Sequence, residues 1–194
     1  MHGSGNDFIL IDGLHKKVTL TSDQVKKLCR RRLGVGADQL LLLGPSKKAD
    51  FKMRIFNADG GEVEMCGNGI RCLTKYLLDG RMTRKKSLEI ETLAGIVKPE
   101  ILRGGRVRVN MGAPILEGSE IPVKLSGRVI NRSVRVEDQE FRMTCVSMGN
   151  PHCVIFVDKV AKFAVGKYGP VLEHHFLFPK RMNVEFVEKI NPKE

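Results

Sequence analysis

The segment around Cys66 constrains this chain most, because a thiol stands directly before Gly67-Asn68-Gly69 and an apolar pattern of helical period over residues 70–78. Gly80 follows this pattern where a C-terminal cap is expected. The unpaired N–H groups and the macrodipole of a helix N-terminus favour negative charge. We therefore predict that Cys66 lies at or just before a helix N-terminus, with a depressed pKa, and acts as a thiolate base or nucleophile.

Most cysteines are buried small hydrophobes, and this interpretation competes with the reactive one. The polar turn Asn57-Ala58-Asp59-Gly60 and the glycines beside Cys66 favour reactivity, since glycine lets a ligand approach the backbone closely. The other cysteines stand in apolar patterns and are predicted to be core: Cys29, Cys72, Cys145 and Cys153. Five cysteines without a CxxC pair predict no disulfide framework, no structural metal and a reducing cytoplasm.

Length and charge limit the class of protein. The chain has 194 residues, enough for one large domain or two small ones, with no run of membrane-span length and no secretory signal at Met1–Gly5. The net charge of +11 raises the question of nucleic acid, but the clusters 30–32 and 81–86 lie at predicted helix ends, where we expect solvated cations. With no Trp and two Tyr, we predict no nucleic-acid partner, only a field that attracts anionic metabolites.

Local signals divide the chain into strands and helices. Thr21 and Gln24 form a capping-box pattern for a helix that Gly34-Val35-Gly36 should end. Residues 168–175 fit either a turn or a short helix. Strands are predicted at 7–12, 39–43, 51–56, 88–92, 96–101, 107–111, 128–136, 141–148, 152–157 and 183–187. Gly112-Ala113-Pro114 is the best boundary, so we predict two domains, 1–112 and 113–194.

An internal repeat connects the two predicted domains. Gly5–Asp12 and Gly149–Asp158 both read Gly-Asn, an apolar strand and then Asp, the second copy being longer by two residues. A weaker echo pairs residues 54–57 with 181–183. The repeat predicts two similar α+β halves that face each other across a cleft lined by Asn side chains.

Several stretches, taken together and in order, closely resemble the diaminopimelate epimerase family. They are Met1–Phe8, Gly34–Gln39, Phe56–Gly60, Cys66–Cys72, Ser147–Cys153 and Phe178–Val184. The resemblance implies an α+β fold of two similar halves, each a mixed β-sheet wrapped around a central helix. It also implies an isomerase of lysine biosynthesis that interconverts LL- and meso-diaminopimelate by two-thiol proton transfer, with no pyridoxal phosphate, no metal and no other cofactor.

The resemblance assigns roles residue by residue. Cys66 corresponds to one acid/base thiol, and His152 to a catalytic histidine that assists proton traffic. The substrate-binding positions that it implies are Asn6, Gln39, Asn57, Gly67, Asn68, Asn150 and Asn183. Two helix N-termini that point at the α-carboxylate would stabilise the developing carbanion.

The sequence departs from the family at its end. The second catalytic cysteine belongs to a later Glu-Arg-Gly…Cys-Gly-Thr-Gly segment, which has no counterpart here, so the second half is predicted to be incomplete. Cys153 is a poor substitute, since strand alternation places it opposite His152. We expect this polypeptide alone neither to fold stably nor to turn over.

Three other hypotheses stay open at this point. One is a proline or hydroxyproline racemase-like isomerase of the same superfamily. Another is a non-catalytic basic binding module, which a salt-dependent shift of a DNA or RNA probe would reveal. The third is a remnant that associates with another chain. A homodimer is the partner that we predict besides the small amino-acid substrate.

Overall fold

The computed structural model describes residues 1–191 and divides the chain into two compact units, Met1–Met111 and Gly112–Glu194. Each unit has its own hydrophobic core. The interpretation of these units as two epimerase halves stays a prediction.

The first unit consists of a mixed sheet, a separate two-stranded ribbon and two helices. The helices are α1 Ser22–Cys29 and α2 Gly67–Asp79. The strands are β1 His2–Gly3, β2 Asn6–Asp12, β3 Gln39–Gly44, β4 Phe51–Asn57, β5 Glu62–Val63, β6 Ile90–Thr92, β7 Gly95–Val97, β8 Pro99–Ile101 and β9 Val107–Val109. The sheet has the order β1-β2-β3-β4-β6-β7, with β5 also paired to β4, while β8 and β9 form the ribbon.

Helix α2 packs against one face of this sheet because its apolar side chains recur at helical spacing. Ile70, Leu73 and Leu77 are fully buried in one cluster with Leu41 of β3 and Ile55 of β4. Burial of side chains of this size contributes about 1.5–3 kcal/mol each. The first unit therefore is held together mainly by the contact between α2 and the central strands.

The opposite face of the sheet is also covered. Leu40 and Leu42 of β3 pack there with Val25 and Cys29 of α1. A strand that is buried on both faces has a continuous apolar sequence, and this explains the unbroken leucine run 40–43.

Over residues 112–191, the second unit has one sheet and one α-helix. Its strands are β10 Arg132–Val136, β11 Gln139–Ser147, β12 Pro151–Phe156 and β13 Asn183–Val187, in that order, and its helix is α3 Val165–Glu173. Strands β12 and β13 are parallel, so the chain crosses over between them through α3. Phe141, Phe163 and Tyr168 form edge and tilted ring contacts in this core.

Three sequence predictions about these elements differ most from the structure in their bounds. Helix α1 ends at Cys29 rather than at 34–36, because Arg30 is extended and the following turn closes on it through Gly34 N–H to Arg30 O (2.8 Å). The predicted strand 96–101 is two strands with different partners, β7 and β8. The predicted strand 128–136 begins only at Arg132, after a positive φ of 51° at Asn131.

The predicted α+β class is confirmed. The segment 168–175, left between a turn and a helix, lies largely within α3. Within residues 1–191, none of the helices is long and apolar enough to cross a membrane.

Candidate functional site

Cys66 is the N-cap of α2. Its backbone is extended (φ −147°, ψ 108°), and its sulfur accepts a hydrogen bond from Gly69 N–H at 3.4 Å. Its carbonyl accepts from Ile70 N–H at 2.9 Å, the first intrahelical bond. The predicted location of the thiol at the start of a helix is confirmed.

Gly69 lets this first helical turn lie directly on the sheet. A Cβ at Gly69 would lie 3.0 Å from Leu41 Cδ2 and 3.5 Å from Cys66 Cβ. A larger residue would push the turn away from β3 and move the thiol with it. Gly69 therefore has a packing role.

The predicted depression of the Cys66 pKa is wrong. Burial raises the pKa of this thiol, and this effect exceeds the lowering by Gly69 N–H, Asn68 N–H and Arg71. The partly buried sulfur packs against the core that α2 forms with the sheet. At neutral pH the group is consequently a thiol, and once it loses its proton it is a comparatively strong base.

Asn6 is the side chain that faces the thiol. Cys66 Sγ donates to Asn6 Oδ1 at 3.8 Å, while Asn6 Nδ2 donates to Asp38 Oδ2 at 3.1 Å. Asn6 is the first residue of β2 and lies 60 positions before the thiol in the sequence. The fold thus brings together two residues that the resemblance assigns to one site.

Gln39 and Asn57 form an amide pair at the same end of the sheet. They are directly opposite in the β3–β4 ladder, and Gln39 Nε2 donates to Asn57 Oδ1 at 2.7 Å. Since side chains alternate along strands, Gln39 and Asn57 point to the face of Leu41 and Ile55, on which α2 packs. Gln39 Oε1 is buried without a hydrogen-bond partner among residues 1–191, so this acceptor is available to a ligand donor such as an ammonium group.

At Gly67 and Asn68, the groups that could contact a ligand are backbone N–H groups rather than side chains. They are the first two residues of α2, where N–H groups lack intrahelical acceptors. The Asn68 side chain instead accepts a hydrogen bond from Arg71 Nη2, one turn further along the helix. An anionic ligand group at this end of α2 would meet backbone N–H groups and the positive end of the helix dipole.

In the second unit, Asn150, His152 and Asn183 come together at one end of the β12–β13 pair. His152 Nε2 lies 3.0 Å from Asn150 Oδ1, and Asn183 Nδ2 donates to Pro151 O at 2.9 Å. His152 Nδ1 lies 2.6 Å from Glu185 Oε1. Because a carboxylate only accepts, Nδ1 carries a proton and the ring orientation is fixed.

Sequence reasoning missed four charged residues in these two clusters. Glu185, two positions after Asn183, holds His152, and strand alternation was the available signal. Arg31 was expected to be a solvated cation, but its guanidinium contacts Asp7 Oδ2 at 2.9 Å and Asp38 Oδ1 at 2.6 Å. No local sequence pattern predicts this contact, because Arg31 and Asp7 are 24 positions apart in the sequence.

The remaining cysteines are core residues, as predicted. Cys29, Cys72, Cys145 and Cys153 are all buried. Cys153 is completely buried on the strand that carries His152, which agrees with the predicted alternation. Within residues 1–191, the structure has no cluster of three or more His, Cys, Asp or Glu that could hold a metal ion.

The sequence matches known proteins over its whole length. The family model for diaminopimelate epimerase matches residues 1–117 and 144–194. A curated diaminopimelate epimerase from Carboxydothermus hydrogenoformans is 54% identical over 99% of this chain and 71% of its own length. Another from Moorella thermoacetica is 50% identical over 100% of this chain and 72% of its own.

Solved structures share the fold at low identity. A hydroxyproline epimerase from Agrobacterium vitis superposes with a TM-score of 0.55 at 20% identity, over 89% of this chain and 52% of that one. A phenazine biosynthesis protein of the PhzF family from Bacillus anthracis gives 0.54 at 22% identity, over 81% and 52%. At these identities the likeness shows the fold alone.

Proposed function

Because the chain belongs to the diaminopimelate epimerase family, we propose that it supplies Cys66 as one of the two acid/base thiols that interconvert LL- and meso-diaminopimelate by proton transfer at the α-carbon. One observation carries this assignment to residues. The Cys66 thiol caps α2 beside Asn6, at the sheet end where Gln39 and Asn57 pair their amides. An amino-acid epimerase needs a proton-transfer group among polar contacts for its substrate, and these residues supply both.

Cys66 takes or gives the α-proton. As a thiolate it removes the proton from the α-carbon, the C–H electron pair stays on carbon, and an S–H bond forms. As a thiol it returns a proton and becomes a thiolate. The raised pKa suits this reaction, because the base must compete for a proton held by a very weak carbon acid.

The start of α2 stabilises the negative charge that develops during proton removal. The backbone N–H groups of Gly67 and Asn68 would donate to the substrate α-carboxylate, and the helix dipole adds a fixed positive potential. Dipoles that are already oriented need no rearrangement as the carbanion forms. This chain's own backbone would therefore replace part of what a carbonyl cofactor does in other amino-acid isomerases.

The amides of Gln39 and Asn57 are suited to bind the substrate by its polar groups. Gln39 Oε1 is a buried acceptor without a partner among the described residues, so an ammonium group of the substrate would satisfy it. Asn6, which contacts the thiol, would align the reacting centre. Together these contacts favour a long substrate with several polar groups.

Further attributes of this function remain part of the proposal. His152 would assist proton traffic, and its contact with Glu185, which orients the ring, supports this role. Asn150 and Asn183 would bind substrate. We also propose catalysis without pyridoxal phosphate, action in the cytoplasm and a homodimer as the working form.

Deuterium exchange tests the proposed reaction. LL-diaminopimelate is incubated in D2O with the 194-residue chain and, separately, with a fusion in which this chain replaces the segment that it matches in the Carboxydothermus relative. NMR follows deuterium at the α-carbon and formation of the meso isomer. We expect inversion with deuterium incorporation by the fusion and none by the chain alone.

The controls separate the active thiol from the rest. Cys66→Ala in the fusion should abolish inversion, whereas Cys29→Ala, a change at a buried core thiol, should leave inversion detectable. Inversion that persists in Cys66→Ala, or a wild-type fusion that folds yet racemises proline instead of diaminopimelate, would contradict the proposal.

A further inference from the structure

A charged cluster of Arg31, Asp7 and Asp38 lies next to Asn6, whose side-chain amide faces the Cys66 thiol. Arg31 forms two hydrogen bonds to the Asp7 carboxylate, at 2.9 and 3.0 Å, and a third to Asp38 at 2.6 Å. The two acidic residues also bind each other's backbone: Asp38 N–H donates to Asp7 Oδ1 at 2.7 Å, and Asp7 N–H donates to Asp38 Oδ2 at 3.1 Å. This closed arrangement links the start of β2 to the residue before β3.

The Asp38 carboxylate contacts the site through Asn6. Its Oδ2 atom accepts from Asn6 Nδ2 at 3.1 Å. A carboxylate paired with an arginine offers only acceptors, so the NH2 end of the Asn6 amide must face Asp38. The oxygen end then faces Cys66 Sγ, at 3.8 Å.

The orientation of that amide matters to the thiol. An amide oxygen can accept from S–H but repels a thiolate, whereas an amide NH2 group would donate to a thiolate and stabilise it. The two orientations of Asn6 have the same shape and opposite electrostatic effects. Whatever fixes the orientation thereby decides which protonation state of Cys66 is favoured.

We propose that Asp38, held by Arg31, is a positioning residue that locks the Asn6 amide with its oxygen toward Cys66 and so keeps the resting thiol protonated. This inference rests on the proposed function, and it deepens it, since it names what sets the proton affinity of the acid/base group. The geometry that carries it is the pair of contacts of the Asn6 amide, Nδ2 to Asp38 and Oδ1 to Cys66 Sγ.

Other charges near the thiol act differently. Arg71, on α2, lowers the pKa of Cys66, and Cys72, on the same helix, interacts with it electrostatically. Asp7 belongs to the charged cluster but makes no hydrogen bond to Asn6 in the described residues. Asp7 thus provides a matched control: it has the same charge as Asp38 and the same arginine partner, but no hydrogen bond to the Asn6 amide among residues 1–191.

The test is the pH dependence of alkylation of Cys66 by iodoacetamide in the full chain, with the labelled peptide identified by mass spectrometry. In Asp38→Asn the lock is released, because residue 38 can then donate as well as accept. The alkylation midpoint should fall by about one pH unit. The plateau rate at high pH should fall about threefold, because a less basic thiolate is a weaker nucleophile.

This pair of effects distinguishes positioning from loosening of the structure, which would raise the plateau by exposing sulfur. Asp7→Asn removes the same charge and should shift the midpoint by less than half as much. Asp38→Glu, which retains a carboxylate, should restore the wild-type midpoint. An unchanged midpoint in Asp38→Asn, or an equal shift in Asp7→Asn, overturns the proposal.

A measurement on the unaltered chain covers the case in which Asp38→Asn does not fold. The side-chain NH2 signals of Asn6, followed by NMR, should keep the signature of a bond to a carboxylate while Cys66 titrates. If they change at the Cys66 midpoint, the amide turns as the thiol ionises and the lock does not exist. Neither experiment uses diaminopimelate, so either can fail while the proposed reaction stands.

Discussion

The thiol at position 66 shows what residue-level reasoning from the sequence could and could not predict. Its location at the start of a helix followed from Gly67-Asn68-Gly69 and the apolar period behind it, and the structure agrees. The direction of its pKa did not follow, because burial of the sulfur depends on strands that are distant in the sequence. A local pattern encodes a helix terminus, but it does not encode the solvation of the atom placed there.

Replacement of Asn57 by Ala should weaken substrate binding. The change removes the amide that accepts from Gln39 Nε2 and leaves that donor unpaired. We expect KM for diaminopimelate to rise about tenfold in the fusion, with a smaller effect on kcat, since the loss of a hydrogen bond costs about 1–1.5 kcal/mol.

Gln139→Ala, at the exposed start of β11, is the matched control. Its KM and kcat, measured by steady-state kinetics, should equal those of the wild type. An unchanged KM in Asn57→Ala would favour a smaller substrate that does not reach this amide.

Replacement of Gly69 by Ala should destabilise the first unit. Alanine gains about 1 kcal/mol of helix propensity, but its Cβ would lie 3.0 Å from the buried Leu41, and overpacking costs about 1–3 kcal/mol. We expect a net loss of about 1 kcal/mol in the free energy of unfolding, measured with urea and circular dichroism.

Gly166 provides the comparison, because a Cβ there would meet no atom within 4 Å. Gly166→Ala should therefore stabilise the protein by about 0.5 kcal/mol. If both substitutions stabilise to the same degree, α2 does not pack against β3 as tightly as the structure indicates.

At the scale of elements, local chemistry predicted where segments begin better than where they end. The capping box of Thr21 and Gln24 is present, with both reciprocal hydrogen bonds. The end of the same helix was placed about five residues too late, because Gly34 and Gly36 belong to a turn that folds back on α1. Strand pairing could not be predicted from the sequence for a similar reason, since the register of a strand depends on partners elsewhere in the chain.

The N-cap of α1 gives a prediction at this scale. Thr21→Ala removes the acceptor for Gln24 N–H (3.3 Å) and should lower the free energy of unfolding by about 1 kcal/mol. Thr19→Ala, at a nearby exposed threonine, should change it by less than about 0.5 kcal/mol. Urea unfolding of both variants measures these changes. Equal changes in the free energy of unfolding would mean that the N-cap of α1 contributes no stability.

At the scale of the whole molecule, the α+β class could be predicted from the sequence, whereas the ion pairs between different segments could not. The resemblance and the internal repeat indicated the class, and the hydrophobic pattern indicated most strands. The ion pair of Arg54 with Glu62 and that of Arg31 with Asp7 join residues from different segments. Charge alone does not specify a partner, so such pairs become visible only once the sheet is known.

These pairs predict a loss of stability in acid. Hydrogen bonds from Arg31 and Arg54 hold the pKa values of Asp7 and Glu62 below their usual range, and Lys85 does the same for Asp50. A carboxylate whose folded pKa lies below its unfolded pKa stabilises the fold above the unfolded value, about 4, and this contribution is lost as the pH falls toward the folded pKa.

We therefore expect the urea midpoint of the first unit to fall steadily from pH 5 to lower pH. Glu62→Gln should flatten this dependence, because the titrating partner of Arg54 is gone. Asp23→Asn, at an exposed carboxylate 3.6 Å from Lys26, should leave the slope unchanged. A slope that Glu62→Gln leaves intact would show that this ion pair has no part in acid sensitivity.

The amide pair of Gln39 and Asn57 shares its register with the leucines of β3. A slip of β3 by one residue would turn Gln39 to the opposite face, where Leu40 and Leu42 now pack against α1, and would break its hydrogen bond to Asn57. The amides of Gln39 and Asn57 thus cannot be shifted one at a time, because any rearrangement of them requires the β3–β4 ladder to open. Amide protons of residues 40–43 should for this reason exchange with solvent no faster than this ladder opens, and their exchange rate therefore reports how long the Gln39–Asn57 pair persists.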